Sequence, residues 1–266
     1  MSDYITTYTG NHIDPADPDP EAISIRDIAH ALSLICRGNG HVRNFWSVGQ
    51  HCLDCAHEAQ ARKLSPRMIL ACLLHDASEC YMSDVPRPMK KHMQEYQRQE
   101  KGILKVIFEK FLGSDLTTAE IRELKEIDDA LLWHDLETLL AEMQHGPMPD
   151  LHIKIDFSFR PFKDVERDYL ELFISITASR EEYGMQKLAI LVTRLSSWVL
   201  SKMGRGGSMP GRLGIKIAPD CLNHLKFGGP VILVTGTNGK TSTANMVSDL
   251  MEEAGYKVGS DVAFAM

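Results

Sequence analysis

Apolar residues recur at intervals of three and four along most of the first 182 residues, which is the spacing of amphipathic helices. Ile28, Leu32 and Ile35 form one such stripe. No segment before residue 182 shows the sustained alternation of apolar and polar residues that a half-buried strand requires. The pattern predicts an all-α helical bundle for residues 1–182.

Helix ends can also be read from the sequence. Ser65 followed by Pro66 predicts a helix start, because serine caps and proline suits the first turn. A cap at Thr117 or Thr118, with Glu120 and Glu123 following, predicts the start of a helix from Thr118 to Glu142. Further helices are predicted over Gln99–Leu112, Val165–Arg180 and, after Gly184, Gln186–Met203.

Charge is distributed unevenly along the chain. The net charge is −7 overall, with −11 over residues 1–183 and +4 over residues 184–266. A strongly acidic first part excludes general nucleic-acid binding, which needs a positive surface. The change of sign indicates two parts of different origin.

The chain carries neither a secretion signal nor an apolar run long enough for a membrane span, so we expect a cytoplasmic protein that does not span a membrane. The six cysteines are then expected to be reduced thiols. Cys52 and Cys55 form a CxxC pair without a second pair, and their spacing fits one face of a helix. For these two we favour core packing over metal or redox chemistry.

Histidine and aspartate occur at three separated helical positions that together suit a metal. The residues are His51, the pair His75-Asp76, and Asp128. Two imidazoles and two carboxylates from separate helices form a donor set suited to Mn, Co, Fe or Zn.

The position of the His75-Asp76 pair strengthens this interpretation. It follows the apolar run Ile69–Leu74, where a buried acid is costly unless it is paired or bound to a metal. Glu79 lies one helical turn further on, and Asp84 follows in a proline-rich loop. This density of polar groups argues against packing alone.

Four segments, in order, resemble the HD-domain phosphohydrolases, specifically the branch of HD-type 5′-(deoxy)nucleotidases. They are ISIRDIAHALSLICRGNGH (23–41), FWSVGQH (45–51), HDASECYMSDVPRPMK (75–90) and LKEID (124–128). The resemblance spans about residues 6–180. One position departs from the family pattern, because Gly38 stands where an aromatic residue commonly follows Arg37.

The resemblance implies a role for each matching residue. The implied metal ligands are His51, His75, Asp76 and Asp128. The implied catalytic acids are Glu79, which would orient or deprotonate the water, and Asp84, which would protonate the leaving 5′-oxygen; the opposite assignment of these two roles stays open. The implied phosphate contacts are Arg37, His41 and Lys90.

The activity implied is removal of the 5′-phosphate from (deoxy)nucleoside monophosphates by attack of a metal-bound water. The enzyme would be an HD-type metal-dependent phosphomonoesterase, expected to form a homo-oligomer. A non-catalytic HD module that senses nucleotides is an alternative.

The last part of the chain has a different texture. Residues 183–229 are interpreted as a helix followed by a Gly-rich linker that includes Gly204–Gly214. Residues 230–266 are interpreted as a strand, a Gly-rich turn and a helix, a partial α/β P-loop unit. The predicted ATP-binding residues are Gly236, Thr237, Asn238, Gly239, Lys240 and Thr241.

The GTNGKTS segment resembles the ATP loop of the Mur ligases, and residues 185–260 resemble the start of the ligase subunit of lipid II isoglutaminyl synthase. The resemblance covers only the opening of that subunit, so we expect a phosphohydrolase that runs into a truncated neighbour. An ATP-binding fragment of this type is the second alternative function. If it functions, the resemblance implies Mg-ATP and a glutamine amidotransferase partner.

Overall fold

A computed structural model describes residues 3–140, 146–202, 209–218 and 240–255. Contacts within the chain divide it into two compact units, Met1–Ser179 and Arg180–Met266. Each unit is described separately below. The functional boundaries predicted at residues 182 and 229 stay predictions.

The described chain is mostly helical, as the apolar spacing predicted. Its sheet consists of two short antiparallel strands, β1 (Ile5–Thr6) and β2 (His12–Ile13). The helices up to residue 140 are α1 (Ile25–Leu34), α2 (Val48–Ala61), α3 (Pro66–Leu74), α4 (Glu79–Met82), α5 (Arg87–Lys90), α6 (Gln94–Leu112) and α7 (Thr118–Leu139). Short 3₁₀ turns cover Pro20–Ala22 and Arg37–Gly40.

The predicted helix starts of α3 and α7 are confirmed by their caps. The Ser65 hydroxyl accepts a hydrogen bond from the Met68 amide. Thr117 and Glu120 form a capping box, which satisfies backbone amides that the first helical turn leaves free. Polar side chains therefore fix where these helices begin.

Helix α2 lies at the centre of the first unit and packs against α1, α3 and α7. Its apolar face joins a core that includes Leu32, Leu53 and Leu73, each buried. Because α2 contacts both α3 and α7, inward-facing polar side chains of these three helices are held close together. The packing thus creates the place where a site can form.

A long helix, α8 (Phe162–Lys202), follows α7 in the described residues. The sequence predicted two helices here, separated near Gly184, and this expectation is wrong. A single glycine costs a helix only about 1 kcal/mol, too little to break one with good formers on both sides. The hydroxyl of Tyr169 donates to the Leu73 carbonyl at 2.6 Å and ties α8 to the end of α3.

The second unit contains α9 (Met209–Ile217) and α10 (Lys240–Glu253). The predicted Gly-rich linker is wrong for Met209–Gly214, which is helical. Gly214 lies against Thr193 so closely that a Cβ would collide with the threonine hydroxyl. Here glycine permits close helix packing and does not mark a loop.

Two further sequence predictions concern the ATP-binding residues and the absence of a membrane span. The predicted strand, turn and ATP-binding residues Gly236–Gly239 lie outside the described residues, whereas α10 begins at Lys240. Within the described residues, no helix has both the length and the apolar character needed to cross a membrane.

Candidate metal and phosphate site

His51 and His75 come from neighbouring helices and face each other inside the first unit. A capping box between Ser47 and Gln50 begins α2, and His51 is the fourth residue of this helix. The His51 side chain is 1% exposed. His75 follows α3, and its ring centroid lies 5.2 Å from that of His51. Both imidazoles are therefore buried and adjacent.

The orientation of His75 is fixed by the backbone. Its Nδ1 lies 2.8 Å from the Cys72 carbonyl, which can only accept, so Nδ1 donates and Nε2 carries the free lone pair. Nε2 is buried and has no hydrogen-bond partner among the described residues. A buried ring nitrogen left in this way is the arrangement of a metal-ligating histidine.

The two aspartates approach the same nitrogen atoms. His75 Nε2 lies 3.2 Å from Asp76 Oδ2 and 3.7 Å from Asp128 Oδ1. His51 Nε2 lies 3.1 Å from the same Asp128 oxygen. Ligands about 2.1 Å from one ion are about 3.0–3.5 Å apart, and two of these three spacings lie in that range. The structure thus links the four predicted ligands through a chain of contacts, with Asp76 beside His75 and Asp128 beside both imidazoles.

Electrostatics at this point favour a positive charge. Burial by itself would lower the pKa of His75, but Asp76 and the other negative groups around the ring together raise the pKa well above 6.5. Burial alone would raise the pKa of Asp76, but His75 and His51 together lower it to about 2. Burial would raise the pKa of Asp128, but the nearby imidazoles of His51 and His75 together hold it well below its usual value. The carboxylates that stabilise a proton on the imidazoles would stabilise a metal cation bound between these groups in the same way.

Arg37 lies beside the four groups. Its Nη1 is 3.5 Å from Asp76 Oδ2, and its Nε is 3.2 Å from Asp135 Oδ2. Burial would lower the pKa of Arg37, but Asp135 and Asp76 together raise it, so the guanidinium stays charged. Gly38 adopts a left-handed backbone with φ of 60°, a conformation that glycine accommodates without a steric cost.

The remaining predicted residues differ in how closely they approach the site. Glu79 is buried, and its Oε2 has no hydrogen-bond partner among the described residues. Asp84 accepts a bond from the Gly38 amide at 3.3 Å, beside Arg37. Lys90 Nζ lies 3.9 Å from Glu79 Oε1 and 2.6 Å from Glu100 Oε1.

His41 is exposed, at the end of the turn that carries Arg37. The bond recorded for it runs from its backbone amide to the Gly38 carbonyl at 3.0 Å. Of the three predicted phosphate-binding side chains, that of His41 is therefore the least supported by the structure.

Two residues at the site, Asp135 and Arg87, were missed in the sequence, and a third, Cys55, is buried in an apolar cluster as predicted but also lies beside His51. Asp135 Oδ2 lies 3.1 Å from His51 Nδ1, on the side of the ring away from Asp128. Arg87 donates to Asp128 Oδ2 at 3.0 Å, and Cys55 Sγ lies 3.5 Å from His51 Nε2. A signal was available for Asp135, since it follows Asp128 by seven residues, or two helical turns.

No protein-family model matches the chain. It is 32% identical over 158 residues to the uncharacterised protein YfdR of Escherichia coli, an alignment that covers 55% of the chain and 85% of YfdR. The chain belongs to the same family as YfdR. An uncharacterised protein of Rhodobacter capsulatus is 39% identical over 87 residues, which are 31% of the chain and 44% of that protein.

A second similarity is to the MurT subunit of lipid II isoglutaminyl synthase (glutamine-hydrolyzing) from Streptococcus pneumoniae. It shows 38% identity over 66 residues, which are 25% of the chain and 15% of MurT. The match therefore covers a small part of MurT. The YfdR relationship establishes a family without naming a reaction.

Proposed function

We propose that the first unit is an HD-type metal-dependent phosphohydrolase that removes the 5′-phosphate from (deoxy)nucleoside monophosphates. The observation that carries the proposal is the buried Nε2 of His75, which makes no hydrogen bond among the described residues and faces the carboxylates of Asp76 and Asp128, with the Arg37 guanidinium alongside. A free imidazole lone pair, two carboxylates and a charged arginine in one place suit a metal ion and a phosphate together.

The residues that would hold the ion are His51, His75, Asp76 and Asp128. Their nitrogen and oxygen donors suit Mn, Co, Fe or Zn. When bound, such an ion acidifies a water molecule and polarises a phosphoryl oxygen. The Cys72 carbonyl contributes by holding His75 in the tautomer that leaves Nε2 free to bind.

Arg37 is the residue best placed to grip the phosphate. Asp76 and Asp135 hold its guanidinium on two sides, so it is oriented before a substrate arrives. A planar guanidinium binds phosphate oxygens bidentately and stabilises the charge that develops on them. Arg87, half exposed and bonded to Asp128, supplies a second positive charge at the outer side.

Glu79 is the residue best suited to carry a proton. Burial, and then the nearby Asp76 and Asp84, raise the pKa of Glu79 well above its usual 4.5. A carboxyl group with a raised pKa holds its proton to higher pH than an ordinary glutamate and can protonate the leaving 5′-oxygen. Asp84 binds the backbone beside Arg37, and in our assignment it positions the phosphate-binding turn.

A phosphate-release assay on the full chain tests the proposal. The protein is stripped of metal, supplied in turn with Mn²⁺, Co²⁺ or Zn²⁺, and offered a panel of ribo- and deoxyribonucleoside 5′-monophosphates. We expect metal-dependent phosphate release that is lost, along with bound metal, in Asp76→Ala. Asp164→Ala is the matched control, because Asp164 is an exposed aspartate on α8.

Two results would contradict the proposal. One is turnover and metal content in Asp76→Ala equal to those of the unmodified protein. The other is tight binding of a nucleotide without phosphate release under any of the metals, which would favour the sensing module.

For the second unit we propose an ATP-binding fragment related to MurT. The support is the 66-residue similarity to MurT and the start of α10 at Lys240, directly after the GTNG segment. A Gly-rich turn that leads into a helix offers amide groups to phosphates. ATP binding by the full chain that persists unchanged in Lys240→Ala would overturn this assignment.

A further inference from the structure

The inner side of the proposed metal site carries sulfur. Cys55 lies one helical turn after His51 on α2, and the sequence favoured core packing over metal or redox chemistry for its thiol. In the structure its Sγ lies 3.5 Å from His51 Nε2. One ligand atom from each of His51, Cys55 and His75 lies within 4.8 Å of the others, and all three residues are buried.

The unpartnered nitrogen of His75 is a second and independent observation. His75 belongs to this same group of three residues, and its Nε2 is buried and makes no hydrogen bond among the described residues. The Cys55 thiol therefore has a potential metal-ligating group beside it and is not surrounded by apolar side chains alone. It shares its surroundings with a ring nitrogen that is ready to bind an ion.

The distances suit a thiophilic metal. Zinc–nitrogen and zinc–sulfur bonds at a tetrahedral angle place the nitrogen and sulfur about 3.6 Å apart. The observed separation between His51 Nε2 and Cys55 Sγ is 3.5 Å. No large rearrangement of α2 is needed to bring both atoms to one ion.

The oxygen and sulfur donors lie at different depths. The side chains of Asp76 and Asp128 are 23% and 21% exposed, whereas Cys55 is 1% exposed. Cys55 also belongs to a buried apolar cluster that includes Ile127 and Leu131 of α7. The two imidazoles thus stand between an outer set of carboxylates and an inner thiol.

We propose that Cys55 is a metal ligand, and that it binds thiophilic divalent cations such as zinc and cadmium together with His51 and His75. On binding, the S–H bond breaks, its proton leaves to solvent, and a sulfur–metal bond forms. Harder ions such as manganese use the imidazoles with Asp76 and Asp128 instead. The inference rests on the metal-binding part of the proposed function.

Cobalt spectroscopy tests this inference without any measurement of turnover. Metal-free full chain is titrated with Co²⁺, which gives a near-ultraviolet charge-transfer band only when a thiolate binds it. We expect the band in the unmodified protein and in Cys80→Ser, and its absence in Cys55→Ser and Cys55→Ala. Zinc affinity is expected to fall at least about tenfold in Cys55→Ser, with manganese affinity nearly unchanged.

Each other outcome contradicts the assignment of Cys55. Visible cobalt bands without the charge-transfer band exclude the thiolate, and metal-dependent phosphate release would then still support the proposed function. Loss of the band in Cys52→Ser alone would assign the sulfur to Cys52. Absence of cobalt binding removes both this inference and the metal site.

A measurement on the unmodified chain covers the case in which the Cys55 variants fail to fold. The ¹¹³Cd nuclear magnetic resonance shift of cadmium-loaded protein separates sulfur from purely nitrogen and oxygen donors. A shift in the nitrogen–oxygen range would overturn the proposal, and a shift in the sulfur range would support it.

Discussion

Asp135 links the two halves of the proposed site, and replacing it with asparagine should weaken both. Its Oδ2 lies 3.1 Å from His51 Nδ1 and 3.2 Å from Arg37 Nε, and the residue is 4% exposed. The substitution keeps the shape of the side chain and removes its charge. His51 then loses the carboxylate that holds its ring, and Arg37 keeps only Asp76 at 3.5 Å.

The size of the effect follows from these contacts. Removing a group that orients a metal-ligating histidine costs about 10- to 100-fold in metal affinity or activity. Removing one partner of a buried ion pair costs about 3–5 kcal/mol of folding free energy. Because Asp76 still accompanies Arg37, we expect the loss for Asp135→Asn at the low end, about 3 kcal/mol.

Three measurements on the full chain separate the two effects. Competition with a chelator gives the metal affinity, steady-state phosphate release gives kcat and KM, and chemical denaturation gives the free energy of unfolding. We expect lower metal affinity from the His51 contact and a higher KM from the Arg37 contact. Glu137→Gln is the matched control, since it removes one exposed carboxylate from the same helix.

Metal affinity and KM in Asp135→Asn equal to those of the control would refute this reasoning. A lower stability alone would mean that Asp135 serves the fold and does not position the site.

Three further predictions concern stability. A hydrogen bond from Arg67 lowers the pKa of Glu120 from 4.5 to about 2, so this carboxylate stabilises the fold above pH 4.5 and stops doing so as the pH falls toward 2. Glu120→Gln should therefore be less stable by about 2 kcal/mol at pH 7 and converge with the unmodified protein near pH 2, as measured by urea unfolding at several pH values. Tyr169→Phe should lose about 1–3 kcal/mol in the same assay at pH 7, because the buried carbonyl of Leu73 loses its donor; an unchanged value would contradict the contact. Gly38→Ala should lower the free energy of unfolding by about 1–2 kcal/mol, since φ at this position is 60°. A variant with the same Tm as the unmodified protein would show that the turn relaxes without cost.

Local features of this chain were predictable because they depend on neighbours in sequence. The period of apolar residues gave the helices, and the caps at Ser65 and Thr117 appear where serine, proline, threonine and glutamate indicated them. The expectations failed where glycine alone was taken as a break. Gly214 lies within a helix because its lack of a side chain permits close packing, a fact that no local pattern contains.

The donor types of the candidate site were also visible in the sequence, as polar residues in an apolar setting. Their convergence was not, since His51 and Asp128 are 77 residues apart and meet only because α2 packs against α7. The same packing decided that Cys55 faces the imidazoles and that Asp135 reaches both His51 and Arg37. Helical period and end signals act over a few residues, whereas the direction of each side chain toward a common point is set by how the helices cross. The sequence alone thus determined the helices and the kinds of ligand, and the tertiary structure decided which of those ligands share one space.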